Sequence, residues 1–219
     1  MKIEAIIFDM DGLLIDSEPV WNEARKQMAA EIGAEWTVDD HHNVMGTSTE
    51  EWTSYMIERL NLTMSPSKVE ETIIRAMENF YQQQIPYFPS ALELIRWAND
   101  NFPTAVASGS PRRLIDAVMR DPELEGMFQF TLAADEVGKG KPDPAIYLET
   151  ARMLGVTPEN CIVLEDSGNG VLAGVQAGMY TINVPDTRFP PSPEKASQAN
   201  KICKNLAETL AHLKRLHTS

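Results

Sequence analysis

Cysteine is nearly absent from this chain, with only Cys161 and Cys203 among 219 residues. Two cysteines without a metal-ligand spacing argue against a disulfide framework, and each is expected as a buried free thiol. Long apolar runs are missing as well. None approaches the roughly 18 residues that span a bilayer. The opening stretch "MKIEAIIFDMDG" lacks a signal-peptide core, because Glu4 and Asp9 interrupt it. These absences place the expected protein in the cytoplasm. Basic residues are scarce: 19 lysines and arginines face 32 acids, for a net charge of −13. The resulting field repels nucleic acid and anionic membranes, so neither is expected as a partner. A small anionic substrate needs only a local positive site and stays open. Internal repeats and low-complexity segments are absent too.

What is present is a chain that can build a core, with hydrophobic residues at 43%. Short apolar, β-rich runs end abruptly in polar or small residues at 4–12, 104–110, 130–136, 161–170 and 179–184. Their continuous apolar character predicts strands buried on both faces, as in a parallel sheet. Helical patterns separate the last four. "AIYLETARMLG" is framed by Asp143 as N-cap, Pro144 at the first helical position and Gly155 as C-cap. "PRRLIDAVMR" is expected to start at Pro111 after a Ser110 N-cap. Such alternation predicts an α/β fold with a Rossmann-like parallel sheet core.

Residues 17–85 break the alternation and read as helices only. In "TEEWTSYMIERLNL", Trp52, Tyr55, Met56 and Leu60 share one face, and Ser48 with Glu51 makes a capping box at the start. The expected organisation is a catalytic core of residues 1–16 and 86–219, interrupted by a helical cap domain of residues 17–85. The Pro-rich "VPDTRFPPSPEKA" (184–196) is expected as a plain surface connection.

The first strand runs into Asp9-Met10-Asp11-Gly12. In an extended chain the two carboxylates share a face, and they repel unless a cation sits near. Alone, this pattern is read equally well as a turn with exposed acids. Glu165 and Asp166 end another predicted strand in "LEDSGNG". Ligands of open parallel sheets gather at the carboxyl ends of strands, so four carboxylates would meet at one edge. Such a set calls for a hard cation, and oxygen ligands suit Mg²⁺. Ser108 ends a third strand just before a helix N-terminus, a ready anion site. In "GKGKPDP", Lys141 precedes a proline and stands upstream of another helix. It can neutralise a phosphoryl oxygen.

With "DMDG", Ser108, "GKPDP" and "EDSGNG" in this order, the chain resembles the haloacid dehalogenase superfamily over essentially its whole length. The resemblance is to the branch with a helical cap after the first motif, in the β-phosphoglucomutase-like group. "DMDGLLIDSEPVW" is most similar to sugar-phosphate phosphatases of the 2-deoxyglucose-6-phosphate type. It implies Asp9 as nucleophile, Asp11 as general acid–base, and Ser108 and Lys141 as holders of the phosphoryl oxygens. It implies Mg²⁺ on the Asp9 carboxylate, the Asp11 carbonyl and Asp166, with Glu165 direct or through water. A small phosphorylated metabolite would be the partner. The superfamily's true dehalogenases lack the second aspartate, so Asp11 favours phosphoryl transfer.

Further candidates are weaker. Lys139 could replace Lys141, but the pattern favours the lysine directly before proline. Ser110, Arg112, Trp21 and Arg75 are candidates for substrate binding, each beside a plainer structural role. His41 and His42 are adjacent, so a helix would point them apart, and they are not expected as ligands. Gly170, Gly174 and Gly178 recur every four residues and are expected to pack closely on the sheet. A phosphomutase using the same aspartyl-phosphate is one alternative function, and a non-catalytic phosphoester-binding module is another. The β-phosphoglucomutases carry an arginine in the cap loop and a histidine in the first cap helix. The matching stretch here, "MGTSTEEW", has no basic residue, and Trp21 stands near the helix position. Net hydrolysis is therefore expected.

Overall fold

A computed structural model describes residues 2–44 and 49–218. The chain divides into two compact units, Met1–Asp16 with Pro86–Ser219, and Ser17–Ile85. No helix among the described residues is long and apolar enough to cross a membrane.

The first unit is built on a parallel sheet. Its strands are β1 (Ala5–Phe8), β2 (Thr104–Ser108), β3 (Phe130–Ala133), β4 (Cys161–Glu165), β5 (Tyr180–Asn183) and β6 (Lys201–Ile202), in the spatial order β3-β2-β1-β4-β5-β6. Every residue of β1, β2 and β4 is buried, which is why these segments read as continuous apolar runs rather than alternating ones. Phe8 pairs with Val106 on one side and Leu164 on the other, so the carboxyl ends of the three central strands lie level. The order of connection reverses at β1, and a ligand crevice is expected at such a switch point.

Helices of this unit are α5 (Ala91–Asn101), α6 (Arg112–Met119), α7 (Ala134–Val137), α8 (Ala145–Leu154), α9 (Gly168–Gln176), α10 (Pro193–Ala196) and α11 (Leu206–His217). Their caps differ in detail from the sequence reading. Gly155 closes α8 with φ +70°, as expected, but the helix begins one residue late, with Pro144 at the cap. Asp143 still accepts from the Ala145 N–H at 3.0 Å. Pro111, not Ser110, precedes α6, because the Ser110 hydroxyl is engaged elsewhere. Gly174 does pack on the sheet: a Cβ there would lie 2.6 Å from Thr181 Oγ1 and 3.3 Å from Val163 Cγ1. Gly178 does not; it lies beyond α9 with φ +76° and open space around it, and it serves the turn. The two-residue β6 went unread in the sequence, and the Pro-rich connection holds the short α10. Cys161 and Cys203 are both buried and free.

The second unit consists of α1 (Glu18–Glu31), α2 (Val38–Val44), α3 (Thr49–Leu60) and α4 (Pro66–Gln83), with α1 and α3 packed on α4. Trp52, Met56 and Leu60 are buried on α3 as the spacing demands. Tyr55 is half-buried and donates to Asp40 Oδ1 at 2.8 Å. Ser48, the expected partner of the α3 capping box, lies outside the described residues.

At the centre of this unit sits a buried arginine. The Arg25 guanidinium lies 5.1 Å from the Trp21 ring and 5.7 Å from the Trp52 ring, an arrangement that suits a cation. Its Nη1 lies 3.3 Å from His41 Nδ1, which makes Nδ1 the acceptor and the imidazole neutral. Burial, then Arg25, His42 and Lys26, push the His41 pKa down from 6.5 to about 4, although Glu18 Oε2 lies 3.5 Å from Nε2.

The unfolded chain thus takes up a proton at His41 near the ordinary pKa, and the folded protein only far below it. Stability should therefore fall as pH drops through this window, by about 2 kcal/mol from His41 alone at about pH 5. Denaturant unfolding at about pH 7 and pH 5 checks this. His41→Gln, which keeps an acceptor for Arg25, should lose less stability than wild type over that interval. Equal losses would mean that His41 is not held neutral.

Candidate active site

The first carboxylate is placed by the end of β1. Asp9 follows the strand directly, and its N–H donates to the Leu164 carbonyl at 3.0 Å, which ties β1 to β4 at the sheet edge. Asp11 makes an isolated parallel bridge with Ile15. The strand stops at Phe8, and the chain turns, with the Leu14 and Ile15 N–H groups both bonded to the Met10 carbonyl. Gly12 makes this turn at φ +79°. A Cβ on Gly12 would stand 2.2 Å from Asp166 Oδ2, so glycine here provides the space that Asp166 occupies.

Lys141 is the cation of the cluster. Its Nζ donates to Asp9 Oδ1 at 2.6 Å, Glu165 Oε1 at 2.5 Å and the Ala107 carbonyl at 3.1 Å. Burial works against its charge, but the Asp9 and Glu165 carboxylates outweigh burial and hold its pKa well above the ordinary value. Lys139 pairs with Asp143 at the surface instead, at 3.2 Å. Burial pushes the Asp9 carboxyl well up, with Lys141 opposing and the Glu165 and Asp11 carboxylates adding to the rise. Burial and Glu165 raise Asp166 likewise. Ionised together, these groups lack positive charge.

Glu165 is fully buried and saturated with donors. Oε1 accepts from Lys141 and from the Tyr147 hydroxyl at 2.6 Å. Oε2 accepts from the Ser167 N–H and hydroxyl, both at 3.1 Å. Tyr147 and Ser167 were not singled out in the sequence. Tyr147 reads there as one more apolar residue of α8, and only the tertiary partner reveals its hydroxyl's role. One carboxylate oxygen from each of Asp9, Glu165 and Asp166 lies within 4.8 Å of the others, close enough for the three to hold one metal ion. The donors are hard, all-oxygen and short of positive charge, which fits a small divalent cation.

Ser108 ends β2 beside this cluster. Its Oγ donates to Asp11 Oδ2 at 3.1 Å and accepts from the Ser110 N–H at 3.0 Å. Ser110 Oγ donates to the same Asp11 oxygen at 2.8 Å. Arg112 is not brought to the cluster. Its guanidinium donates to Thr131 Oγ1 at 2.7 Å and the Thr131 carbonyl at 2.8 Å, and it pairs with Glu136 and Asp116. The carboxylate of Glu136 that follows β3 captures it. Trp21 and Arg75 belong to the helical unit: Trp21 is half-buried on α1 against Trp52, and Arg75 is exposed on α4. His41 joins no metal-type group among the described residues.

The haloacid dehalogenase-like hydrolase family model matches residues 3–178, and the chain belongs to that family. A phosphorylated carbohydrates phosphatase of Thermotoga maritima is 33% identical over 181 residues, covering 82% of this chain and 84% of that protein. Hexitol phosphatase B of Escherichia coli is 32% identical over 213 residues, covering 92% and 95%. A solved structure from Thermotoga maritima, described as a candidate β-phosphoglucomutase, matches with TM-score 0.84 at 30% identity, over 98% of this chain and 100% of that one.

Two glycines of α9 separate the site from the scaffold behind it. A Cβ on Gly170 would fall 1.8 Å from the Glu165 carboxylate, whereas one on Gly174 meets only Thr181 and Val163. Gly170→Ala should displace Glu165, loosen Lys141 and lower kcat/KM of the folded protein about tenfold or more. Gly174→Ala should cost about 1–3 kcal/mol in overpacking and leave activity per folded molecule near wild type. Steady-state kinetics corrected for the folded fraction by circular dichroism distinguish the two. Equal activities for both variants would mean that the Glu165 position is unimportant.

Proposed function

We propose that this protein is a Mg²⁺-dependent phosphatase that hydrolyses small phosphomonoesters, sugar or polyol phosphates, through an aspartyl-phosphate. The observation that carries the reading is Lys141 Nζ lying within hydrogen-bond distance of both Asp9 and Glu165 at the carboxyl edge of the sheet. A fixed buried cation beside a carboxylate nucleophile suits the transfer of an anionic group. Family membership and phosphatase relatives acting on phosphorylated carbohydrates and hexitols support the substrate class.

In this reading the Asp9 carboxylate attacks phosphorus, and the bond to the leaving oxygen breaks as Asp11 protonates it. Asp11 then takes a proton from the water that attacks phosphorus, the bond from phosphorus to Asp9 breaks, and phosphate leaves with the Asp9 carboxylate restored. Ser108 and Lys141 hold the phosphoryl oxygens through both steps. Asp9, Asp166 and the Asp11 carbonyl would hold Mg²⁺. Glu165, whose oxygens accept from Lys141, Tyr147 and Ser167, would support the ion directly or through water. Bound there, Mg²⁺ supplies the positive charge that lets an anionic nucleophile meet an anionic phosphate.

The mutase alternative draws on the resemblance to β-phosphoglucomutases. It needs a second phosphate site, and the stretch "MGTSTEEW" offers two acids and no base. Like charges there would repel the second phosphate.

A panel of hexose, hexitol and pentose monophosphates assayed for released phosphate tests the reading. Chelation should abolish release and Mg²⁺ should restore it. β-Glucose 1-phosphate with a bisphosphate primer should give negligible glucose 6-phosphate. Full turnover after chelation would overturn the metal assignment. Isomerisation outpacing phosphate release would promote the mutase.

A further inference from the structure

The two oxygens of Asp11 have different surroundings. Oδ2 accepts two hydroxyl hydrogen bonds, from Ser110 at 2.8 Å and Ser108 at 3.1 Å. Oδ1 is buried and has no partner. A buried acceptor without a donor is uncommon and asks for a reason. Oδ2 is the oxygen that faces the serine hydroxyls, and Oδ1 is the one left to carry and receive a proton.

Ser108 cannot serve as a permanent tether, since its hydroxyl also holds a phosphoryl oxygen when substrate binds. Ser110 gives its hydroxyl to Asp11 Oδ2. It is only 8% exposed, and its own N–H donates to Ser108 Oγ at 3.0 Å. The backbone that carries Ser110 is thereby fixed at the end of β2, and its hydroxyl stays on Asp11.

We propose that Ser110 is a positioning residue for proton transfer: it tethers Asp11 through Oδ2 and so presents Oδ1 to the leaving-group oxygen. The inference rests on the proposed role of Asp11 as proton donor. In the first step a bond forms between an Asp9 oxygen and phosphorus, and the bond from phosphorus to the leaving oxygen breaks. Its electron pair stays on that oxygen, which takes the proton from Asp11 Oδ1. In the second step a bond forms between the water oxygen and phosphorus as the water gives its proton back to Asp11 Oδ1, and the Asp9–phosphorus bond breaks with its electron pair returning to the Asp9 carboxylate. Ser110 changes no bond in either step; it fixes where Oδ1 stands. An untethered carboxylate samples other rotamers, and proton transfer to a poor leaving group suffers most.

The test compares leaving groups. A sugar phosphate departs as an alkoxide and needs the proton; 4-nitrophenyl phosphate departs as a stable phenolate and does not. For Ser110→Ala, kcat on the sugar phosphate should fall about tenfold to a hundredfold. The fall on 4-nitrophenyl phosphate should be at least about tenfold smaller. Measurable nitrophenyl turnover also shows that the variant folds. Ser110→Thr, which keeps the hydroxyl, should recover most of the sugar phosphate rate. Equal losses on both substrates, or no recovery in Ser110→Thr, would overturn the tether. Asp11→Asn separates this from the underlying reading. If that variant splits the two substrates and Ser110→Ala does not, only the tether fails. If Asp11→Asn shows no split, the proton-donor reading fails and the tether with it.

Discussion

One ammonium group among crowded carboxylates governs this site. Lys141 is nearly buried and lies within hydrogen-bond distance of both Asp9 and Glu165. Without it, Asp9, Glu165 and Asp166 would bring like charges together in a region with little water, where repulsion is strong. Removing one partner of such a buried pair costs about 3–5 kcal/mol, because the survivor is left uncompensated. The surroundings of Lys141 follow from this requirement. Tyr147 and Ser167 complete the donors around Glu165, so that Glu165 can be wholly buried and still hold the lysine. Even with Lys141 in place, the acids exceed the bases, and that excess is what a divalent cation answers.

The fold makes this crowding possible by register. β1 pairs with β2 and β4 in parallel, and their ends align. Residues just beyond Phe8, Leu164 and Ala107 therefore meet although they are far apart in sequence. The apolar strands do the positioning: each is buried throughout, so a slip in register would place the wrong side chains at the edge. Glycine shapes the remainder. Gly12 turns the chain beside Asp166, and Gly170 lets α9 approach the Glu165 carboxylate.

Much of this was legible in the sequence because it is local. The five principal strands, the all-helical stretch after Asp16 and the residues of the four motifs are written as runs of neighbouring residues. The contacts that complete the site are not. Arg112 stands just past Ser110 and Pro111 in sequence, yet Glu136 draws its guanidinium towards β3. Tyr147 looks like core until Glu165 is placed opposite it. Ser110 reads as a helix cap, and only its distance to Asp11, about a hundred residues away along the chain, shows the other partner. The end of β1, by contrast, is legible because it is local: the apolar run stops at Phe8, directly before Asp9. Arg25 in the helical unit was not anticipated, since a buried arginine leaves no pattern unless its tryptophan neighbours are known.

The central claim is that the Asp9 carboxylate attacks phosphorus and carries the phosphoryl group between two half-reactions. An acid quench during turnover of a sugar phosphate, followed by borohydride reduction and peptide mapping by mass spectrometry, tests it directly. An acyl phosphate is reduced to an alcohol, so the account predicts homoserine at position 9 and nowhere else. Homoserine at another position, or rapid phosphate release with Asp9 unaltered throughout, would contradict it.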